Sequence, residues 1–292
     1  MGIVEQAIEL IDLVHRYGSK HVALDHLTLQ MPEGKIYGLL GRNGAGKSTL
    51  INILIAGHRQ TSGRVLVFGE PPYENGRALS KICVVREKGM FPPHLTVREA
   101  LATCADLYSH WDVDYAAQLC ERFVLNPKKR YKQLSRGMES SLGLIIGLAS
   151  RAELTVFDEP SLGLDAVVRE VFYSELRRDV DAHPRTVVIS THLIDEVARI
   201  FDEVIIIDKG KLLAHSTVRE LTQSAVIVSG DEAQVRTLIA GHELLNEERL
   251  STMYAASIRI REGMTIEPAE GVTVEPLPLQ RLFVFLTEGG HV

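Results

Sequence analysis

The segment at residues 41–49, Gly-Arg-Asn-Gly-Ala-Gly-Lys-Ser-Thr, constrains the fold of this chain more than any other part of it. Its spacing is that of a phosphate-binding loop, in which glycines let backbone N–H groups approach phosphate oxygens. Lys47 would place a positive charge beside the β- and γ-phosphates, and the Ser48 hydroxyl would bind Mg2+. Apolar runs at 35–40 and 48–55 flank the loop as a buried strand and a helix, which favours anion binding between them. The sequence therefore predicts a site for a nucleoside triphosphate.

The whole loop supplies the candidate nucleotide contacts. They are Gly41, Arg42, Asn43, Gly44, Ala45, Gly46, Lys47, Ser48 and Thr49. One alternative is a glycine-rich turn that binds no ligand. Another is a dinucleotide-binding loop, which the Lys-Ser pair after the last glycine disfavours.

Length and composition limit the class of protein. With 292 residues, 45% of them hydrophobic, the chain suits one large domain with a small one beside it. A net charge of −6 provides no basic field to recruit nucleic acid, so no nucleic-acid partner is predicted. The longest apolar stretches, such as 142–149, are too short to span a bilayer. No secretory signal is visible, and Cys83, Cys104 and Cys120 are too widely spaced for a disulfide framework or a zinc site, so we expect a cytoplasmic protein.

The order of apolar runs predicts an α/β fold with a P-loop nucleoside triphosphatase core. Alternating segments at 7–14 and 24–31 indicate an antiparallel β subdomain before the loop. Helical spacing from 97 to about 150 indicates a helical insert. Buried runs then alternate with helical sequence and indicate a parallel sheet; these runs are 154–157, 186–190 and 204–207.

Two domains are expected from this pattern. Residues 1–215 would form the nucleotide-binding domain, and residues 216–292 a small C-terminal α/β appendage. The appendage is at the lower edge of independent domain size.

Polar residues end two of the predicted strands. Asp158 and Glu159 follow the run at 154–157, where Asp158 can hold Mg2+ and Glu159 can act as general base on the attacking water. An acidic pair that only marks a strand end is the alternative, which the phosphate-binding loop disfavours. His192 follows the run at 186–190 and can donate a hydrogen bond to the γ-phosphate, unless it only caps the next helix.

In this order the motifs resemble the nucleotide-binding subunits of ATP-binding cassette (ABC) transporters, over roughly residues 5–215. The segment Ser-Leu-Gly-Leu-Asp at 161–165 looks like the D-loop of that family, which makes Asp165 a candidate nucleotide-site residue. Tyr17 matches the aromatic residue that stacks on adenine in the family. Because stacking requires only an aromatic face, an ordinary turn tyrosine remains the alternative.

The family's signature, Leu-Ser-Gly-Gly-Gln, is altered here to Leu-Ser-Arg-Gly-Met at 134–138. In the family this motif binds the γ-phosphate held by the opposite subunit of a head-to-tail dimer. The resemblance implies that Ser135 and Gly137 keep this role and that Arg136 adds a cation near the phosphate, whereas Met138 removes an amide. A helix start capped by Ser135 is the alternative.

A second departure concerns the residue that follows the short strand at 81–86. The family usually has a glutamine there, which contacts Mg2+ and links ATP to the membrane partner. Counting back from the segment 95–97 places Glu87 at this position, with Arg86 as the alternative. A glutamate would bind Mg2+ but would add negative charge beside the triphosphate.

The resemblance implies an ATPase subunit that binds ATP and Mg2+. It would form a homodimer, or a heterodimer with a second ABC ATPase, and drive separate transmembrane permease subunits from the inner face of the cell membrane. Glu159 would act as the base, Lys47 would stabilise charge and His192 would sense the γ-phosphate. The C-terminal extension resembles that of exporter-type subunits. The alternative function is a soluble, nucleotide-switched module with weak hydrolysis, whereas a small-molecule kinase fits neither the acidic pair nor Leu-Ser-Arg-Gly.

Overall fold

The computed structural model describes residues 5–86, 90–250, 253–261 and 264–288. The chain divides into two compact units, one formed by Met1–His192 with Ile200–Ala214 and the other by Leu193–Arg199 with His215–Val292. Compactness does not test whether each part folds alone, so the domain boundary at 215 and 216 stays a prediction.

The first unit contains most of the regular structure. In chain order, its elements are β1 (Gln6–Tyr17), β2 (His21–Pro32), β3 (Ile36–Leu40), α1 (Lys47–Leu54), β4 (Ser62–Val67), α2 (Gly76–Leu79), β5 (Ile82–Val85), α3 (Val97–Leu107), α4 (Val113–Arg122), α5 (Arg136–Ala149), β6 (Leu154–Asp158), α6 (Ala166–Ala182), β7 (Thr186–Thr191), β8 (Glu203–Asp208) and β9 (Lys211–Thr217), which begins in this unit.

A six-stranded sheet with the order β5-β6-β7-β3-β8-β9 is the centre of the first unit. Strands β5, β6, β7, β3 and β8 pair in parallel. Every residue of β3 and β7 is buried, as expected for central strands covered on both faces. This arrangement confirms the predicted α/β fold with a P-loop triphosphatase core.

The antiparallel subdomain is a three-stranded sheet with the order β2-β1-β4. Its apolar side chains share one core with α1 and the central sheet, represented by Leu10 of β1, Leu24 of β2, Ile53 of α1 and Leu39 of β3. Burial of these side chains fixes the start of α1, and with it the loop at 41–49, against the antiparallel sheet.

The segment between β5 and β6 contains α3, α4 and α5. Each helix has an N-cap that satisfies free N–H groups of its first turn. Thr96 and Glu99 form a capping box at α3, Asp112 caps α4 and Ser135 caps α5. These caps explain why the helical pattern predicted for 97–150 breaks into three helices.

The second unit is a four-stranded antiparallel sheet with the order β11-β12-β10-β13 and helices beside it. A small apolar core, which includes Val228, Val235 and Tyr254, holds it together. Its elements are α7 (Ile194–Val197), α8 (Val218–Gln223), β10 (Ala225–Gly230), α9 (Glu232–Leu238), β11 (Glu243–Leu250), β12 (Met253–Arg259), β13 (Thr273–Pro276) and α10 (Leu279–Glu288). Within the described ranges of the whole chain, no helix is both long and apolar enough to cross a membrane.

Candidate functional site

The sheet order brings the candidate motifs to one edge. The loop at 41–49 follows β3, Glu159 follows β6 and His192 follows β7, which lies between β3 and β6. Because neighbouring strands are about 4.8 Å apart, the ends of β3 and β6 are separated by about 10 Å. The carboxyl ends of parallel strands therefore form a crevice with the loop on one side and the carboxylates on the other.

A cavity of about 330 Å³ occupies this crevice. Its lining combines backbone donors, one ammonium group, hydroxyls and two carboxylates, which is the chemistry that a triphosphate with a divalent cation requires. The lining residues are His21, Ala23, Arg42, Asn43, Gly44, Gly46, Lys47, Ser48, Thr49, Asp158 and Glu159.

Glycine is required at Gly46 by both conformation and space. Its φ is +110°, and a Cβ at this position would lie 2.7 Å from the carbonyl oxygen of Ala23. Gly41 is equally confined, since a Cβ there would lie 2.6 Å from the carbonyl oxygen of Ile207. The Ala45 N–H donates to the Arg42 carbonyl at 3.0 Å and closes the turn. At these two positions the loop backbone passes so close to the neighbouring strands that a side chain does not fit.

Lys47 is the first residue of α1 and is only 7% exposed. Its Nζ donates to the carbonyl oxygen of Gly41 at 2.5 Å and to that of Arg42 at 3.4 Å. Burial lowers the pKa of Lys47, whereas the nearby carboxylates of Glu159 and Asp158 raise it. The ammonium group is thus bonded to the loop carbonyls, and the carboxylates of Asp158 and Glu159 line the same cavity.

Glu159 has a constrained backbone and a direct contact with His192. Its φ is +51°, a left-handed conformation that costs free energy for a side chain with a Cβ and is frequent at functional sites. The Glu159 N–H donates to the carbonyl of Ser190 at 2.9 Å. Its Oε2 lies 2.8 Å from Nδ1 of His192, whose side chain is 54% exposed. The imidazole therefore orients the carboxylate that faces the loop.

An aromatic side chain, Tyr17, stands next to the loop. The Tyr17 hydroxyl is 3.3 Å from the hydroxyl oxygen of Thr49, and the tyrosine is 43% exposed. The His21 ring is nearly parallel to it, with the two ring centroids 6.1 Å apart. His21 was not predicted as a site residue, although Tyr17 and His21 pair directly across the hairpin that a turn at 18–20 implies.

The candidate residues of the altered signature and of the segment 161–165 are not part of the lining of this cavity. Ser135 caps α5 by accepting from the Met138 N–H at 3.3 Å, and Asp165 caps α6 by accepting from the Val168 N–H at 2.9 Å. Ser135, Arg136 and Asp165 are exposed, and Gly137 is half-buried.

The Mg2+ ligand suggested at Glu87 lies outside the described residues. Its sequence neighbour Arg86, the alternative for that position, donates from Nη2 to Oδ1 of Asn52 at 2.5 Å. Asn52 belongs to α1, so Arg86 is bonded to the helix that follows the loop.

Comparisons with known proteins agree with this geometry. The ABC transporter family profile matches residues 24–162. The bacitracin transport ATP-binding protein BcrA of Bacillus licheniformis is 35% identical over 213 residues, which cover 70% of this chain and 68% of that protein. The Nod factor export ATP-binding protein I of Burkholderia orbicola is 31% identical over 225 residues, covering 75% of this chain and 73% of that protein.

A solved structure, an ATP-binding subunit of an ABC transporter, has the same fold. It superposes with a TM-score of 0.68 and 24% identity, covering 74% of this chain and 91% of that chain. The family predicted from the sequence motifs is therefore confirmed. This chain belongs to the ABC transporter family, as an ATP-binding subunit that hydrolyses ATP.

Proposed function

We propose that this chain is one half of a paired ATPase in which Glu159 is the general base and whose cycle drives separate membrane-spanning permease subunits. One observation carries the proposal: Lys47, Ser48, Asp158 and Glu159 line a single cavity of about 330 Å³ at the carboxyl edge of a parallel sheet.

ATP would bind with its triphosphate on the loop and its adenine on Tyr17. The loop N–H groups at the start of α1 and the Lys47 ammonium supply positive potential for the phosphates. Tyr17 supplies an aromatic face next to Thr49, which lines the cavity. The substrate would thus span the cavity with its γ-phosphate towards Glu159.

The Mg2+ ion that accompanies ATP would be held by Ser48 and Asp158. Both side chains provide oxygen atoms, the ligands that Mg2+ prefers, and both line the cavity. Proteins usually bind this ion through one or two carboxylates and the substrate phosphates, and the described residues contain no cluster of three or more His, Cys, Asp or Glu side chains able to hold a metal. When bound, the ion neutralises charge on the β- and γ-phosphates. Glu87 remains a proposed additional ligand.

Hydrolysis would begin with water placed between the γ-phosphate and Glu159. The Glu159 carboxylate accepts a proton while the water oxygen bonds to the γ-phosphorus and the bond to the β-phosphate oxygen breaks, giving ADP and phosphate. His192, 2.8 Å from Glu159, holds the carboxylate in position and can contact the γ-phosphate. Lys47 stabilises the charge that develops on the phosphoryl oxygens.

The second half of each site would come from another cassette. Ser135, Arg136 and Asp165 are exposed and lie outside the chain's own cavity, so they are accessible to a nucleotide held by a second subunit. A homodimer and a heterodimer with a second ABC ATPase both satisfy this requirement. Closure around ATP and opening after hydrolysis would then form the mechanical cycle.

The permease partner would place the chain at the inner face of the cell membrane. Because relatives over 30% identical are named for bacitracin transport and for Nod factor export, we assign this chain to transporters that export their substrate. Purification of the tagged chain from detergent-solubilised membranes tests the proposed association with a permease. A co-purifying membrane-spanning protein supports it, and recovery with ribosomes or DNA instead contradicts it.

The general base is tested by Glu159→Gln, with Glu153→Gln as the matched control. Glu153 precedes β6 at the opposite end of the strand and pairs with Lys81, so this control removes a carboxylate far from the crevice. We expect Glu159→Gln to abolish steady-state hydrolysis but to retain ATP binding and ATP-dependent dimerisation, whereas Glu153→Gln keeps normal turnover. Unchanged phosphate release by Glu159→Gln would overturn the assignment.

A further inference from the structure

The signature segment at 135–137, which is the N-cap and first two residues of α5, is in direct contact with the segment 161–165 within this chain. A Cβ on Gly137 would lie 2.8 Å from the carbonyl oxygen of Gly163, and a Cβ on Gly163 would lie 2.8 Å from Cγ of Arg136. Gly163 has a φ of +82°, which also favours glycine. Two glycines therefore let the two segments approach each other at backbone distance.

Ser140 adds a hydrogen bond to this contact. Its side chain is buried, with 8% of the residue exposed, one turn into α5. The Oγ lies 2.7 Å from the carbonyl oxygen of Leu162 and 3.1 Å from that of Arg136. A hydroxyl has one proton to donate, and the shorter distance assigns it to Leu162. The bond links the helix that carries the altered signature to the middle of the D-loop.

The same residue of the D-loop is bonded to the proposed base. The Leu162 N–H donates to the carbonyl oxygen of Glu159 at 3.2 Å. Leu162 thus uses its amide towards Glu159 and its carbonyl towards Ser140. A continuous path of hydrogen bonds runs from His192 through Glu159 and Leu162 to Ser140.

We propose that Ser140 is a positioning residue that couples the signature segment at 135–137 to Glu159 through the backbone of Leu162. This inference rests on the proposed function, in which the signature segment binds the nucleotide of a second cassette and Glu159 activates water in its own. When the signature segment contacts that nucleotide, the Ser140 bond fixes Leu162, and Leu162 fixes the backbone of Glu159. Ser140 does not touch the substrate, so its loss should affect turnover and leave ATP affinity intact.

Ser141 provides a matched control. It is the next residue of α5, it is also buried, and its Oγ donates to the Gly137 carbonyl at 3.0 Å, a bond within the same helix. Ser140→Ala and Ser141→Ala each remove one buried hydroxyl from neighbouring positions. Only Ser140→Ala removes a bond to the D-loop.

The test compares steady-state ATP hydrolysis of the full-length chain with both alanine variants, with Ser140→Thr and with Glu159→Gln. For Ser140→Ala we expect kcat to fall about tenfold with KM and the Kd for ATP unchanged, because the transmitted constraint acts on the base alone. For Ser141→Ala we expect kcat within about twofold of the parent, and Ser140→Thr, which keeps the hydroxyl, should recover most of the activity.

Four results would overturn the inference. Equal kcat values for the two alanine variants would show that the bond to Leu162 transmits nothing. A parallel loss of ATP affinity in Ser140→Ala, or no recovery in Ser140→Thr, would reduce Ser140 to a packing residue. If the parent chain itself fails to hydrolyse ATP above the level of Glu159→Gln, the proposed function fails and the inference with it.

Discussion

Tyr17 offers a prediction whose size follows from its surroundings. Its ring is met edge-on by the rings of His15 and His58, with centroid distances of 4.8 and 5.5 Å and interplanar angles of 84°. These contacts hold the orientation of the ring and leave it 43% exposed beside Thr49. The structure therefore provides a fixed, partly solvated aromatic face, on which we propose that the adenine base stacks.

The magnitude comes from the free energy of stacking. Base–aromatic stacking contributes about 1–3 kcal/mol, and a partly solvated face belongs to the lower half of that range. Tyr17→Ala should therefore raise the Kd for ATP about 5- to 30-fold, since about 1.4 kcal/mol corresponds to a factor of ten. Tyr17→Phe keeps the ring and loses only the long contact with Thr49, so its Kd should change by about twofold or less.

Isothermal titration calorimetry with two ligands separates stacking from damage to the loop. ATP has a base and inorganic triphosphate does not, so Tyr17→Ala should weaken the binding of ATP and leave that of inorganic triphosphate unchanged. A Kd for ATP within about twofold of the parent would refute the stacking role. Equal losses for both ligands would also refute it, because they would show that the substitution acts on the loop through Thr49.

Two further predictions concern stability without nucleotide. Gly46→Ala should lower the free energy of unfolding by about 2–4 kcal/mol, because it adds backbone strain to a clash with Ala23. Gly44→Ala is the control: its φ of +84° is also strained, but no atom lies within 4 Å, so it should cost only about 1 kcal/mol. Equal losses of free energy in urea denaturation would contradict the steric argument. Burial, and then the nearby His58, lower the pKa of His15 below its usual 6.5, so the neutral form is favoured in the fold. Because the unfolded chain takes up the proton at a higher pH than the folded chain, the free energy of unfolding is highest above about pH 6.5 and falls on acidification. His15→Gln should therefore make the urea midpoint less dependent on pH between about 7.5 and 5.5. An unaltered pH dependence would rule out His15 as its source.

The structure around the loop was largely predictable from sequence because the motif fixes both of its flanks. The strand predicted at 35–40 is β3 and the helix predicted at 48–55 is α1, each within one residue. Continuous apolar runs also marked β6, β7 and β8, since central parallel strands are buried on both faces. These strands determine the crevice, so its location followed from the pattern.

Two of the edge strands were missed, and the sequence of one of them shows a physical reason. Strands β9 and β11 lie at the edges of their sheets, and neither was predicted. β11 has the sequence Glu-Leu-Leu-Asn-Glu-Glu-Arg-Leu, in which charges interrupt the alternation that marks a strand. Charged side chains at a sheet edge prevent pairing with other chains, and the same charges make the segment resemble a loop.

Contacts within the site depend on the tertiary fold. The residues of the pair His192 and Glu159 are 33 positions apart, and Ser140 and Leu162 are 22 positions apart. No periodicity in sequence specifies which side chains of separate elements will meet at such distances. The roles of the strand ends could be predicted, whereas the bonds that orient them required coordinates.

The two altered residues of the signature, Arg136 and Met138, make contacts within this chain that the fold accommodates. The aliphatic stem of Arg136 passes over Gly163, where the absence of a Cβ makes room for it, and Sδ of Met138 lies 3.5 Å from Nζ of Lys129. Neither side chain distorts α5, whose cap at Ser135 is intact. The fold therefore tolerates both departures from the family sequence. Arg136 is exposed and lies outside the chain's own cavity, so under the proposed function its charge would act on a phosphate held by a second cassette, and the effect of the substitution would appear in the closed dimer.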